Sequence, residues 1–402
     1  MKATVTRIAA GLLTFLIGLG VATAWVVRRR QPTIQPVTIS EAPSEPGSSA
    51  LEMVFVLDTT GSMGGLIDGA KQRIWGIVNE VMQQSSHPAV RIGLVAYRDH
   101  GDAYVTKVLP LTNDLDKVYS TLMDYRAEGG GDEPEDVRQA LADGLRKVGW
   151  SEGSLRPAQI IFLVGDAPPH QNYSNEPDTL VTATEAVQQG MIVNTIQCGV
   201  SAATTTSWQA IAQRGQGQYF AIAQDGGVAR ISSPYDEQLG QLASQLGATY
   251  IAYGGGSGEA AELRRERMAG MMRETEAKVA TDAPASAKAE RAYNKVVNAD
   301  AYVGDLLQSI ENGSLKLDAV KDEDLPADLR KLSPEDRKQE IEKRLAARKE
   351  IRAQIVTLSK QRDEFIAAER KKLNGGKENG FDAAVASALK EQMARKGIFG
   401  VR

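Results

Sequence analysis

The sequence predicts a doubly wound α/β domain followed by an α-helical C-terminal region. Three observations predict it. Two apolar runs, rich in β-branched and aromatic residues, each deliver an aspartate: Val54–Leu57 into Asp58, and Gln159–Gly165 into Asp166. Strand-like runs alternate with amphipathic stretches over residues 51–253, the pattern of a parallel sheet with helices on its faces. After the flexible break Gly254-Gly-Gly-Ser-Gly258 the composition turns to Glu, Lys, Arg and Ala.

Residues 8–27, IAAGLLTFLIGLGVATAWVV, carry no charge. Twenty helical residues reach about 30 Å, the thickness of a bilayer's hydrocarbon core, and Trp25 suits its interface. A cleaved signal would use Ala22-Thr23-Ala24 as its small-residue site, whereas an anchor would keep the whole span. The anchor is favoured, because the apolar run continues past Ala24 to Arg28-Arg29-Arg30, and positive charge just after a cleavage site disfavours export. Residues 1–30 are therefore read as a single-pass membrane anchor or signal. Lys2 and Arg7 on one side nearly balance the three arginines on the other. Short amino-terminal tails usually stay inside, which tips the reading toward an extracytoplasmic domain, with a cytoplasmic one as the alternative. Residues 31–50, rich in Pro, Ser, Gln and Glu, read as an extended tether.

The elements then follow in order. After the first strand, Ile67, Ala70, Ile74, Ile77, Val78 and Val81 recur at helical spacing. Val90–Asp99 is strand-like, and Thr106–Thr112 is an edge candidate because it contains Pro110. Leu115–Tyr125 reads as a helix. Pro134 suits the first turn of the next one, with Asp132 as its cap. A helix over residues 178–189, a buried strand at Met191–Gln197, a helix around Trp208–Gln213 and a short strand at Gln218–Ala221 complete the alternation. Pro234–Leu246 reads as the closing helix, with Leu239, Leu242 and Leu246 on one face.

In open α/β sheets, ligands bind outside the carboxyl ends of the strands. Asp58 lies at such an end, and Thr60 and Ser62 lie on the turn after it. One carboxylate and two hydroxyls at alternate positions can converge on a hard cation such as magnesium, which takes oxygen ligands. The plainer reading is that Asp58 and Thr60 cap a helix. Asp166 decides between them: two carboxylates brought to one sheet edge repel each other unless a cation lies between.

Three segments now carry a resemblance: DTTGSM (58–63), GGGDEPEDV (129–137) and FLVGDAPPH (162–170). Residues 50–255 resemble a von Willebrand factor type A (VWA) domain, of the bacterial branch in particular. The resemblance implies a Rossmann-like, mostly parallel six-stranded sheet with helices on both faces. It also implies a metal-ion-dependent adhesion site for Mg2+, or for Mn2+ or Ca2+, whose coordination a partner protein's carboxylate often completes. By that resemblance Asp58, Thr60, Ser62 and Asp166 are metal ligands. The family usually places a threonine ligand in the glycine-rich loop; here there is none, and Asp132 is the nearest ligand-capable residue. If Asp132 coordinates, three carboxylates hold the cation more firmly and attract an acidic partner less; if it only caps a helix, water takes the position. Arg98, with Asp99 and His100, and His170 are candidates for a partner-binding rim. A solvated loop for the first and a hydrogen-bonded loop histidine for the second are the commoner cases.

Composition excludes several classes. A net charge of −4 argues against a nucleic-acid partner. No glycine-rich turn carries GK[ST], so no nucleotide is expected. An aspartate-nucleophile phosphatase wants a second acid where Thr60 stands, and three scattered histidines suggest no Ser–His–Asp set. Cys198 is the sole cysteine, so no internal disulfide forms, and packing is its simplest role. The reading is a membrane-tethered, non-enzymatic module that binds an acidic group on a protein. The alternatives are a magnesium-dependent phosphotransfer or hydrolase enzyme, and a scaffold with a vestigial site.

Residues 254–332 read as linker and short helices, and 333–402 as a long charged helix and a last amphipathic one. Ser333-Pro334-Glu335 is a strong helix start. Ile351, Leu358 and Phe365 recur at seven but Arg344, Arg348 and Arg362 interrupt the seam, so a helical hairpin packed on neighbours is favoured over a coiled coil. The charge runs read as solvated faces.

Overall fold

The computed structural model describes residues 50–395 apart from 83–88, 132, 153–156, 226–230, 299–301, 303 and 375–380. The apolar span 8–27 and the tether up to residue 49 lie outside the described residues. Among the described residues no helix is long and apolar enough to cross a membrane.

Six strands form one sheet: β1 (Ala50–Asp58), β2 (Ala89–Tyr97), β3 (Thr106–Thr112), β4 (Ala158–Gly165), β5 (Ile192–Cys198) and β6 (Gln216–Ile222), in the order β3-β2-β1-β4-β5-β6. All pairs are parallel except β2–β3. Strand β3 is an edge, which is where Pro110, lacking an N–H, does no harm. The strand order reverses between β1 and β4, so a crevice opens outside their carboxyl ends, where Asp58 and Asp166 stand.

Both faces of the sheet are covered, and the strand pleat divides the core accordingly. Leu51, Met53, Phe55 and Leu57 face one way, against α1 (Gly64–Met82) and α2 (Leu115–Asp124). Phe55 stacks on Phe162 with ring centroids 5.2 Å apart. Val54 and Val56 face the other way, against α3 (Val137–Arg146), α4 (Thr179–Gln188) and α5 (Ala202–Arg214).

The C-terminal region is more integrated than its composition implied. Helix α6 (Asp236–Gly247) buries Leu239, Leu242 and Leu246 as expected, but not against the sheet. Its partners are α8 (Ala285–Val297) and α11 (Pro334–Asn374), while α7 (Glu259–Asp282) flanks it. The short helices α9 (Leu306–Glu311) and α10 (Ala327–Arg330) line a further small core with Ile341 of α11. The layer over β5 and β6 beside α1 is closed instead by α12 (Phe381–Arg395). Ala384, Val385, Ala388, Leu389 and Met393 enter the same core as Ile222 and Cys198. Gln392 exchanges amide hydrogen bonds with Asn194 of β5, one of them at 3.0 Å. Helical periodicity shows which face of α6 is apolar; it does not show which partner covers it.

Helix α11 runs 41 residues as a single rod, and the Ser333 hydroxyl accepts from the Asp336 amide at its start. It packs on α6, α8 and α9 rather than on a coiled-coil mate. Two of the arginines that break its seam are buried. Arg348 pairs with Asp305, and Arg362 pairs with Asp236 at 2.7 Å. These positions are therefore not solvated faces.

Candidate metal centre

Strand β1 delivers Asp58 to the sheet edge fully buried, and the chain turns at once into the 3-10 turn Gly61–Met63 and then α1. The Asp58 Oδ1 accepts two bonds from Thr60, from its amide at 2.8 Å and its hydroxyl at 2.6 Å. The Asp58 Oδ2 is equally buried and accepts none. Burial, with the Asp166 charge adding to it, pushes the Asp58 carboxyl up to about 7.

Strand β4 runs beside β1 with Leu57 opposite Val164, which places Asp166 one step past the end of the sheet. Gly165 is required between them. A Cβ there would lie 2.4 Å from the Tyr97 hydroxyl and 3.1 Å from the Asp58 Cβ. The turn after β4 is held to α5, where the Thr204 hydroxyl donates to the Asp166 carbonyl and the Trp208 indole N–H to that of Ala167.

The glycine-rich loop is threaded against the Asp58 turn by backbone bonds from Gly61 to the Gly129 carbonyl and from Glu128 to that of Thr59. Gly130 takes φ of +81° and lies so close that a Cβ would stand 3.2 Å from both Thr60 and Glu135. Asp132 lies outside the described residues. The helix it was expected to cap begins later, at Val137, and its cap is Asp136. The loop brings the Glu135 carboxylate to the site. That side chain is 3% exposed, its Oε2 has no hydrogen-bond partner, and burial together with the charges of Asp58, Asp99, Asp102 and Asp166 pushes it up to about 9.

A cavity of about 350 Å³ opens beside them, lined by Thr60, Ser62, Glu135, Asp166 and Gln224 among others. Ser62 is exposed at its mouth. Gln224, a residue not singled out from the sequence, bridges the opening: its amide donates to the Asp166 Oδ2 at 2.6 Å and to the Ser62 carbonyl at 3.4 Å. Cys198 borders the cavity as a buried residue of the core.

The two expected rim residues are placed differently. Arg98 is buried, not on a rim: its guanidinium donates to the Thr59 carbonyl at 3.2 Å and the Arg126 carbonyl at 2.8 Å, pinning two loops together. His170 is also buried, with its ring nitrogens hydrogen-bonded to Asp99 and Asn172 at 3.1 Å each. Both lie beyond the second strand or the fourth, as the sequence indicates, but loop position alone does not report depth. Glu135 left a weak signal: it is a second acid in a short loop already thought to approach the ion.

Residues 52–233 match the family model described as von Willebrand factor A domain. The mouse von Willebrand factor A domain-containing protein 7 is 37% identical over 120 residues, 30% of this chain and 12% of that protein. The alpha-protein kinase vwkA of Dictyostelium discoideum is 26% identical over 124 residues, 31% of this chain and 19% of that protein. The chain thus spans only a small part of the length of the curated relatives it matches. A solved structure of BatB from Bacteroides thetaiotaomicron shares 16% identity, covers 44% of this chain and 90% of that one, and gives a TM-score of 0.32. Residues 52–233 are a von Willebrand factor A domain.

Proposed function

We propose that this domain is a non-enzymatic, divalent-cation-dependent protein-binding module. Asp58, Thr60, Ser62 and Asp166 hold Mg2+, Mn2+ or Ca2+, directly or through water, and Glu135 supplies the carboxylate that the glycine-rich loop contributes. The observation that carries this reading is the pair of buried carboxylate oxygens, Asp58 Oδ2 and Glu135 Oε2, that accept no hydrogen bond. An unpaired buried carboxylate is costly, and a hard cation is the ligand that satisfies several such oxygens at once. Asp132 is a further candidate on the same loop.

The open side of the cavity, past Gln224, takes an acidic group on a protein partner. Gln224 must release Asp166 when the cation binds. The uncharged span 8–27 tethers the domain to a membrane, with the domain extracytoplasmic.

Thermal melting of the full chain tests the cation site. With Mg2+ or Mn2+ the melting temperature rises relative to chelator, and Asp58→Asn abolishes the rise. A ligand that binds only the native state adds about 2.7 kcal/mol at a hundred times its dissociation constant. Equal melting with and without metal in the wild type would remove the proposal.

A further inference from the structure

A second cluster of potential metal ligands includes Asp136, the residue that follows Glu135. We infer that His100, Asp136 and Glu176 form a distinct site for a zinc-like transition-metal cation, with water completing the coordination.

The donors are already assembled. The His100 Nε2 lies 2.8 Å from the Glu176 Oε1 and 3.2 Å from the Asp136 Oδ2, and one donor atom from each residue lies within 4.8 Å of the others. Ligands about 2.1 Å from one ion sit roughly 3.0 Å apart at adjacent octahedral corners and about 3.4 Å apart in a tetrahedron. The two nitrogen–oxygen spacings fit that scale. The donor set of one imidazole and two carboxylates suits zinc and its neighbours better than magnesium, which prefers oxygen alone.

An independent feature points into the cluster. Asp136 is fully buried, and its two oxygens have different fates. The Oδ1 caps α3 by accepting from the Gln139 amide at 2.9 Å, which fixes the carboxylate's orientation. The Oδ2 is left without a hydrogen-bond partner, as is the Glu176 Oε2. A single imidazole N–H cannot satisfy all of these oxygens; a cation can.

The surroundings hold the donors in place. His100 stacks on Tyr173 with ring centroids 4.1 Å apart, and the Tyr173 hydroxyl donates to Asp99 at 2.8 Å. Arg138 of α3 donates to the carbonyls of Glu176 and Pro177, tying the loop that carries Glu176 to the helix that Asp136 caps. His100 is half exposed, so an ion and its waters have a path in.

The test is a zinc titration of the untagged full chain against a chromophoric chelator. It compares wild type, Asp58→Asn, His100→Gln and Glu176→Gln, each checked for unchanged folding by circular dichroism. Asp58→Asn is expected to retain one zinc equivalent, and adding His100→Gln or Glu176→Gln is expected to weaken it at least tenfold. If Asp58→Asn does not fold, the comparison is wild type against His100→Gln, where two equivalents must become one. Zinc binding unaltered by His100→Gln would overturn the inference and leave the cluster as an ion pair only. A wild type that binds no more zinc than Asp58→Asn would instead count against the first site, so the two failures are separable.

Discussion

Glu135 and Asp136 are consecutive residues whose carboxylates enter different clusters. Glu135 reaches the cavity beside Asp58 and Asp166, while Asp136 caps α3 and turns toward His100 and Glu176. An isolated bridge pairing Glu135 with Pro169 holds this point of the chain extended, so that neighbouring side chains diverge.

Three carboxylates overcompensate one divalent cation by a unit charge. Glu135→Gln keeps the side chain's shape and removes that excess. Magnesium affinity is expected to fall at least tenfold, about 1.4 kcal/mol. In saturating magnesium, affinity for an acidic peptide partner is expected to rise, because the metal then carries more uncompensated charge. Calorimetric titration of both variants reads each effect.

Gly165→Ala places a methyl group against the Tyr97 hydroxyl and the Asp58 side chain. The backbone there belongs to a central strand and cannot withdraw. A loss of about 1–3 kcal/mol is expected in urea unfolding, with cation-induced stabilisation diminished as well.

Leu389→Ala removes a buried side chain where α12 covers the sheet. A loss of about 2–5 kcal/mol is expected. If α12 were a dispensable tail, the unfolding curve would not move.

Asp116 gives a pH-dependent outcome. Burial raises its carboxyl, but Arg291 and Lys295 outweigh that and hold it well below the usual carboxylate range. Both partners belong to α8, with Arg291 contacting Asp116 at 2.7 Å. A depressed folded-state pKa contributes stability above the unfolded value, about 3.9, and the contribution is lost as pH falls through the folded value. Asp116→Asn is therefore expected to cost about 3–5 kcal/mol at neutral pH. The gap to wild type should narrow below about pH 4 in denaturant melts.

The sequence by itself determined the α/β domain, the places of Asp58 and Asp166, and the helix that starts at Ser333. These follow from local physics: β-branched apolar runs demand burial on both faces, an aspartate at the end of such a run lands at a sheet edge, and Ser-Pro-Glu presets a helix. Tertiary structure alone decided that Glu135 enters the cavity, and that Gln224 crosses its mouth. It also decided that Arg98 and His170 are buried, that α12 and not α6 closes the sheet, and that Arg348 and Arg362 sit in the core opposite Asp305 and Asp236. The reason is common to all of them. Periodicity and turn chemistry are set by residues within about one helical turn of each other, whereas depth and pairing depend on partners such as Asn194 and Gln392, whose contact spans 198 positions of chain.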